Sequence, residues 1–77
     1  MEWIIYILKC KDQSLYTGIT NNLDTRIEKH ISGKGSKYLR GRLPIKLVYE
    51  EVSLNRSEAT KRELEIKKLN KKEKQFL

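Results

Sequence analysis

WIIYILKCKDQSLYTGIT, Trp3 to Thr20, is the stretch that decides the fold. WIIYILKC is apolar on both of its alternating faces, which predicts a strand covered on both sides and therefore central in its sheet. KDQS then supplies turn residues, and LYTGIT reads as a second strand, so the two form a β-hairpin. Gly18 is a poor strand residue, because it offers nothing to pack and leaves the chain loose. Tyr16 lies two positions earlier and projects to the same face. Ile4, Tyr6 and Leu8 share one face of the first strand. With a suitable register Tyr6 and Tyr16 come together and Gly18 clears space above the sheet. Two strand tyrosines most often simply pack, and the hairpin alone supports no more than that.

The rest of the chain arranges itself around this hairpin. TNNLDTRIEKHI predicts a helix, with Asn21 or Asn22 as cap and Asp24 in the first turn. Leu23, Ile27 and Ile31 recur every fourth residue and give it an apolar stripe. The glycine-rich basic segment GKGSKYLRGR, Gly33 to Arg42, ends the helix as a loop. Pro44 introduces IKLVYEEV, Ile45 to Val52, a third strand. NRSEATKRELEIKKL is a second long helix, with Asn55 and Glu58 spaced as a capping box. NKKEKQFL predicts a last short helix, and Asn70 and Glu73 repeat the cap spacing. The fold class is α+β, a small three-stranded antiparallel sheet flanked by helices in the order ββαβα(α). No internal repeat, linker or low-complexity segment interrupts it.

Composition limits the function classes. The chain has 77 residues, near the lower end of what folds on one core. Its one cysteine, Cys10, excludes an internal disulfide and reads as a small buried or edge strand residue. The N-terminus has an acidic residue and a short apolar run but no basic n-region or small-residue cleavage site, so we expect no signal peptide. The run is too short to span a bilayer. The expectation is a soluble protein of the cytoplasm. The formal charge is +7, with 17 Lys and Arg against 10 Asp and Glu. That bias points to a polyanion, with nucleic acid well ahead of an anionic membrane surface. Within GKGSKYLRGR, Lys34, Lys37, Arg40 and Arg42 occur with no acid, and Tyr38 is interleaved. Flexible glycines, cations and one aromatic suit a phosphate backbone and a stacked base, although a solvated surface loop would read the same way.

Two helix placements carry further chemistry. Arg26 and His30 are spaced i, i+4 and share a helix face. Both can donate to phosphate oxygens, and histidine can move a proton near neutral pH. Glu63 lies one turn beyond Ala59 and one turn before Ile66, beside the apolar stripe of Ala59, Ile66 and Leu69. A carboxylate there faces desolvation unless a divalent metal, Arg26 or a lysine compensates. Glu58, Glu65 and Glu73 read as solvated, as do Lys67, Lys68, Lys71, Lys72 and Lys74.

Each placement alone has an ordinary explanation, but their order along the chain is specific. Ile4-Ile5-Tyr6, Tyr16-Thr17-Gly18, Arg26 and His30 on the next helix, and Glu63 in ATKRELEIKK together resemble the GIY-YIG nuclease domain. The pattern is most similar to the small single-domain bacterial branch of that family, the UPF0213-like proteins, and spans residues 1–77 as one domain. Ile4 departs from the Gly of the first signature and Thr17 from the Ile or Val of the second, and neither side chain is asked to do chemistry. Ile19 stands where some relatives carry a lysine. Asn70 comes too early after Glu63 to match the late asparagine of larger relatives and is better read as an N-cap.

The resemblance implies a metal-dependent DNA endonuclease that hydrolyses phosphodiester bonds, with DNA repair or processing as its setting. It implies Glu63 as ligand to Mg²⁺ or Mn²⁺, completed by water and phosphate oxygens. It implies Arg26 on the scissile phosphate, a tyrosine as general base and His30 bonded to that base or to phosphate. Tyr16 is the favoured base with Tyr6 positioning the water, and the reverse assignment stays open. Gly18, Lys34, Lys37, Tyr38, Arg40 and Arg42 would contact the flanking strand, whether single-stranded, duplex or branched DNA, with RNA also open. Two alternatives stand beside this reading: a nucleic-acid-binding module that kept the fold without cutting, and a nuclease subunit that needs a protein partner for targeting.

Overall fold

Trp3–Lys9 forms the first strand, β1, and it is the middle of the sheet because both of its faces are apolar. The computed structural model describes residues 2–74 and 76–77. Met1, at the start of the expected N-terminal segment, and Gln75, inside the expected last helix, lie outside the described residues. Leu15–Thr20 forms β2 and Lys46–Ser53 forms β3, and both pair antiparallel with β1 in the order β2-β1-β3. The third strand is thus displaced by one residue from its expected span.

Alternate residues of β1 feed two separate cores. Ile5 and Ile7 pack with Ala59 and Ile66 of helix α3, Arg56–Lys68. Tyr6, Leu8 and Cys10 pack with Leu39, and Leu23 and Ile27 of helix α1, Leu23–Ile31, lean on them. Cys10 is buried, as its strand reading requires. A bulge facing Ile7 and Leu8 lets Tyr49 join the first core while Leu47 joins the second.

Helix ends follow the expected chemistry. Asn22 caps α1 through Thr25 N–H, and Asn55 caps α3 through Glu58 N–H at 2.9 Å. Asn70 and Glu73 form a reciprocal capping box, 2.8 and 2.9 Å, at α4, Lys71–Lys74, so Asn70 acts as a cap. No helix among the described residues is long and apolar enough to cross a membrane.

Two expectations are corrected. The inner face of α1 is not the stripe Leu23, Ile27, Ile31: Ile31 is 56% exposed, and His30 is buried in its place. The apolar period cannot register a histidine that satisfies its ring nitrogens inside the fold. Nor is GKGSKYLRGR only a loop. Ser36 caps a short helix, α2, Lys37–Arg40, through Tyr38 N–H, and Leu39 anchors it by complete burial.

Register explains Gly18. It pairs directly with Tyr6, and Leu8 pairs with Tyr16. A Cβ on Gly18 would stand 2.5 Å from Tyr6 Oη and 2.7 Å from Cζ, in a sheet position where the Tyr6 ring has no room to retreat. Gly18→Ala is therefore an overpacking change, expected to cost about 1–3 kcal/mol. Urea unfolding checks this, and an unchanged midpoint would show that the ring is not confined.

Candidate active site

Tyr6 is completely buried and His30 nearly so, and their polar atoms meet at 2.9 Å, Tyr6 Oη to His30 Nε2. The strand supplies one group and α1 the other. The loop after α1 settles the histidine's tautomer. Ser36 N–H can only donate, and it reaches His30 Nδ1 at 3.3 Å. Nδ1 therefore carries the lone pair, Nε2 carries the proton, and His30 donates to Tyr6. Tyr6 keeps its own proton to offer a third group. Gly35 makes this packing possible, since a Cβ there would run into His30 Nδ1.

Arg26 enters the same cluster one turn before His30. Its guanidinium lies within polar reach of the Tyr6 and Tyr16 phenols, and the Tyr6 phenol above all holds it charged. Its Nε is buried without a hydrogen-bond partner. Tyr6 in turn is pushed up by burial. Arg26 pulls it down, while Tyr16 and Glu63 add to the rise. A phenolate is thus disfavoured at Tyr6. Burial, with the Arg26 charge adding, holds His30 below the usual histidine range, in keeping with a neutral ring that donates from Nε2.

Tyr16 is only half-buried and closes the cluster from the outside. Its ring lies 6.4 Å from Tyr6 and 5.4 Å, edge-on, from His30. Tyr38 stacks on Tyr16 with ring centroids 6.0 Å apart, and the Arg42 guanidinium sits 3.9 Å above the Tyr38 ring. Arg42 also bonds Asp12 Oδ2 at 3.0 Å and the Tyr38 carbonyl at 2.7 Å. Arg40 Nε is taken by the Gly33 carbonyl at 2.8 Å.

Tyr6, Tyr16, Arg26, His30 and Glu63 are accordingly in one neighbourhood. The residues expected to hold a flanking strand divide. Lys34 and Lys37 are exposed. Tyr38 stacks between Tyr16 and Arg42, Arg42 is engaged by Asp12 and the Tyr38 carbonyl, and Arg40 gives Nε to the Gly33 carbonyl while staying exposed. Gly18 is buried, and the space it leaves is filled by the Tyr6 ring instead of lying open to a ligand. Sequence reasoning missed Gly35 and Ser36, which fit and orient His30. Ser36 is a good N-cap type three residues before an apolar anchor, and that was the available signal.

Glu63 is the carboxylate of this cluster, close enough to add to the rise of the Tyr6 phenol. Its side chain is 17% exposed and its ion-pair partner is Lys67, one turn on, at 3.5 Å and half exposed. No cluster of three His, Cys, Asp or Glu residues that could cage a metal occurs among the described residues. One partly desolvated carboxylate with a weak cationic partner fits Mg²⁺ or Mn²⁺, which complete their shells with water and phosphate oxygens. It does not fit a caged zinc.

A family model described as the GIY-YIG catalytic domain matches residues 2–75. The chain belongs to the GIY-YIG family. The UPF0213 protein of Clostridium perfringens is 60% identical over 70 residues, covering 91% of this chain and 75% of that one. The UPF0213 protein of Oceanobacillus iheyensis is 53% identical over the same length, covering 91% and 81%. Two solution NMR structures share the fold. The UPF0213 protein of Bacillus halodurans is 48% identical with a TM-score of 0.61, covering 97% of this chain and 80% of that one. A protein of E. faecalis is 38% identical with a TM-score of 0.68, covering 99% and 82%. GIY-YIG domains are usually nucleases, so nucleic acid is the substrate class that family membership implies.

The buried histidine gives the domain a pH dependence with a definite sign. His30 has its folded value depressed below the ordinary 6.5. The unfolded state therefore binds the proton more readily, and stability present above about pH 6.5 is lost as pH falls through the folded value. Glu51 and Asp12, both held below their ordinary carboxylate values, act only at lower pH. Denaturant melts between pH 7.5 and 5.5 should show this loss, and His30→Gln should flatten the slope in that window while lowering stability throughout. An equally steep slope in His30→Gln would remove His30 as its source.

Proposed function

We propose that this GIY-YIG domain is a divalent-metal-dependent endonuclease of DNA, acting in repair or processing in the cytoplasm, with a protein partner available to supply targeting. The observation that supports it is the convergence of two phenols, a guanidinium, a neutral histidine and one carboxylate within a single small neighbourhood.

The residues divide the work by exposure. Tyr16 is the phenol that faces outward, so it is the group that takes a proton from the attacking water. An ordinary free phenol costs about 4 kcal/mol to ionise at pH 7. Arg26, between the two phenols, offsets part of that and stabilises charge building on the phosphoryl oxygens. Tyr6 cannot meet bulk water. It takes the His30 proton donor on its oxygen, and from inside the cluster it positions the groups around Arg26 that orient the attacking water. His30 stays neutral and fixes the orientation of Tyr6. Glu63 would hold the divalent ion, which, when bound, neutralises the phosphate and supports the leaving oxygen.

Purified protein incubated with single-stranded, duplex and branched DNA should cleave with Mg²⁺ or Mn²⁺ and stop with EDTA. Tyr16→Phe should lower the rate by about 10²–10⁴-fold, the usual value of a general base. Glu63→Ala should abolish metal-dependent cleavage, and both variants should still bind DNA. Binding to every substrate without metal-dependent cleavage would leave the non-cutting module as the function. Cleavage that survives Glu63→Ala would move the metal elsewhere.

A further inference from the structure

A groove of about 210 Å³ opens beside Arg26, lined by Thr20, Asn21, Asn22, Thr25, Arg26 and Lys29. All six are donors of hydrogen bonds and two are cations. No carboxylate lines it. Asp24 and Glu28, the acids of α1, are exposed residues outside the lining. The groove shares with the two phenols the guanidinium of Arg26, whose Nε is buried with nothing bonded to it. Thr20 and Asn22 are committed to the helix cap, their side chains exchanging bonds with the Asn22 and Thr25 backbone at 3.1 to 3.2 Å. They therefore shape one wall of the groove. Thr25 and Lys29, one turn apart on the same helix face, are exposed, and no ion pair engages Lys29 among the described residues.

We propose that this groove is a second phosphate subsite, which holds the phosphate next to the scissile one on the strand being cut. The inference rests on the reading that Arg26 meets a nucleic-acid phosphate, and it deepens that reading by giving the strand a direction, along α1 from Arg26 toward Lys29. Arg26 to Lys29 is three residues, about 4.5 Å of helical rise. Residues three apart are neighbours on one helix face, about 5–6 Å apart at Cβ, so the two cations can meet successive phosphates of one strand. The basic segment after α1 does not share Arg26, and its arginines are partly engaged, Arg40 Nε on the Gly33 carbonyl and Arg42 on Asp12 and the Tyr38 carbonyl. A lysine-rimmed groove with an apolar floor, formed by Lys9, Lys71 and Lys74 around Ile7, Leu15 and Tyr49, lies against the other core and does not share Arg26.

Fluorescence anisotropy with labelled single-stranded and duplex oligonucleotides, in EDTA so that nothing is cut, tests the subsite. Lys29→Gln should weaken binding alike on different sequences and reduce the slope of log K against log salt by about 1, because one released counterion is lost. Thr25→Val should weaken binding about tenfold with the slope unchanged, because a neutral donor is lost and no charge. Both residues are exposed, so the variants should fold as the parent does. An unchanged slope in Lys29→Gln overturns the proposal, and so does a slope that falls instead in the double variant Lys71→Gln, Lys74→Gln. A parent protein that binds with the expected Lys29 dependence but never cleaves with metal would leave the subsite standing and remove the nuclease reading. Cleavage with an unaltered Lys29 slope would do the reverse.

Discussion

The hydrogen bond between Tyr6 and His30 ties the sheet to the first helix, and most of the site follows from it. A buried hydrogen bond contributes only about 1 kcal/mol net, but a buried group left unpaired costs about 1–3 kcal/mol. Tyr6 and His30 are both sequestered from water, so each makes the other tolerable. The bond also has a direction. Because the Ser36 amide occupies Nδ1, the imidazole is a donor toward Tyr6, and it keeps this role only while neutral. Two glycines are the steric condition for the arrangement. Gly18 leaves room for the phenol and Gly35 for the imidazole, on opposite sides of one contact.

A second set of contacts holds Tyr16, and it runs through residues far apart in the chain. Tyr16 lies against Tyr38, Tyr38 under Arg42, and Arg42 is fixed by Asp12 in the hairpin turn. The ion pair itself is exposed and would stabilise little. Its effect is to place a short helix over the outward phenol. The basic segment is therefore part of the scaffold at its aromatic and arginine positions, while its lysines remain on the surface. Charge alone made these positions look alike. Geometry separates them by asking what each guanidinium already bonds.

The hairpin, the third strand and both long helices were legible in sequence because each has a period and an end signal. WIIYILKC is apolar on both faces and became the central strand for that reason. Asn22, Asn55 and Asn70 cap where they were read to cap. What was not legible was anything set by a polar contact across the fold. His30 was read with Arg26 as a pair on one helix face and not as a buried residue, and Ile31 was read with the core, because periodicity scores side chains without their partners. Tyr6 and Tyr16 were placed correctly as neighbours, yet the contact that matters for Gly18 was its direct pairing with Tyr6. Register, one residue either way, decides that, and no pattern in the hairpin states it. The cluster of Tyr6, Tyr16, Arg26, His30 and Glu63 was visible as an order of residue types. Which of them is buried, which faces water and which way the histidine donates required the coordinates.

A domain of this size also has little choice about where its chemistry sits. Small chains bury a modest share of their surface, about 60% at 60 residues, so nearly every inward position must serve the core. Among the seven largest fully buried side chains here, two are Tyr6 and His30. They fill volume that a larger domain would give to leucine, and so the core and the candidate site share the same atoms. This explains the division between the two phenols. The phenol built into the core is rigid and shielded, suited to positioning and poorly suited to ionising. The phenol at the edge of the sheet meets solvent and depends on neighbours from the basic segment for its order. Arg26 bridges the two environments, half inside and half out, with one nitrogen buried and unbonded beside a groove of donors. The two phenols already favour its charge inside the cluster, and the basic surface around it favours the approach of an anion.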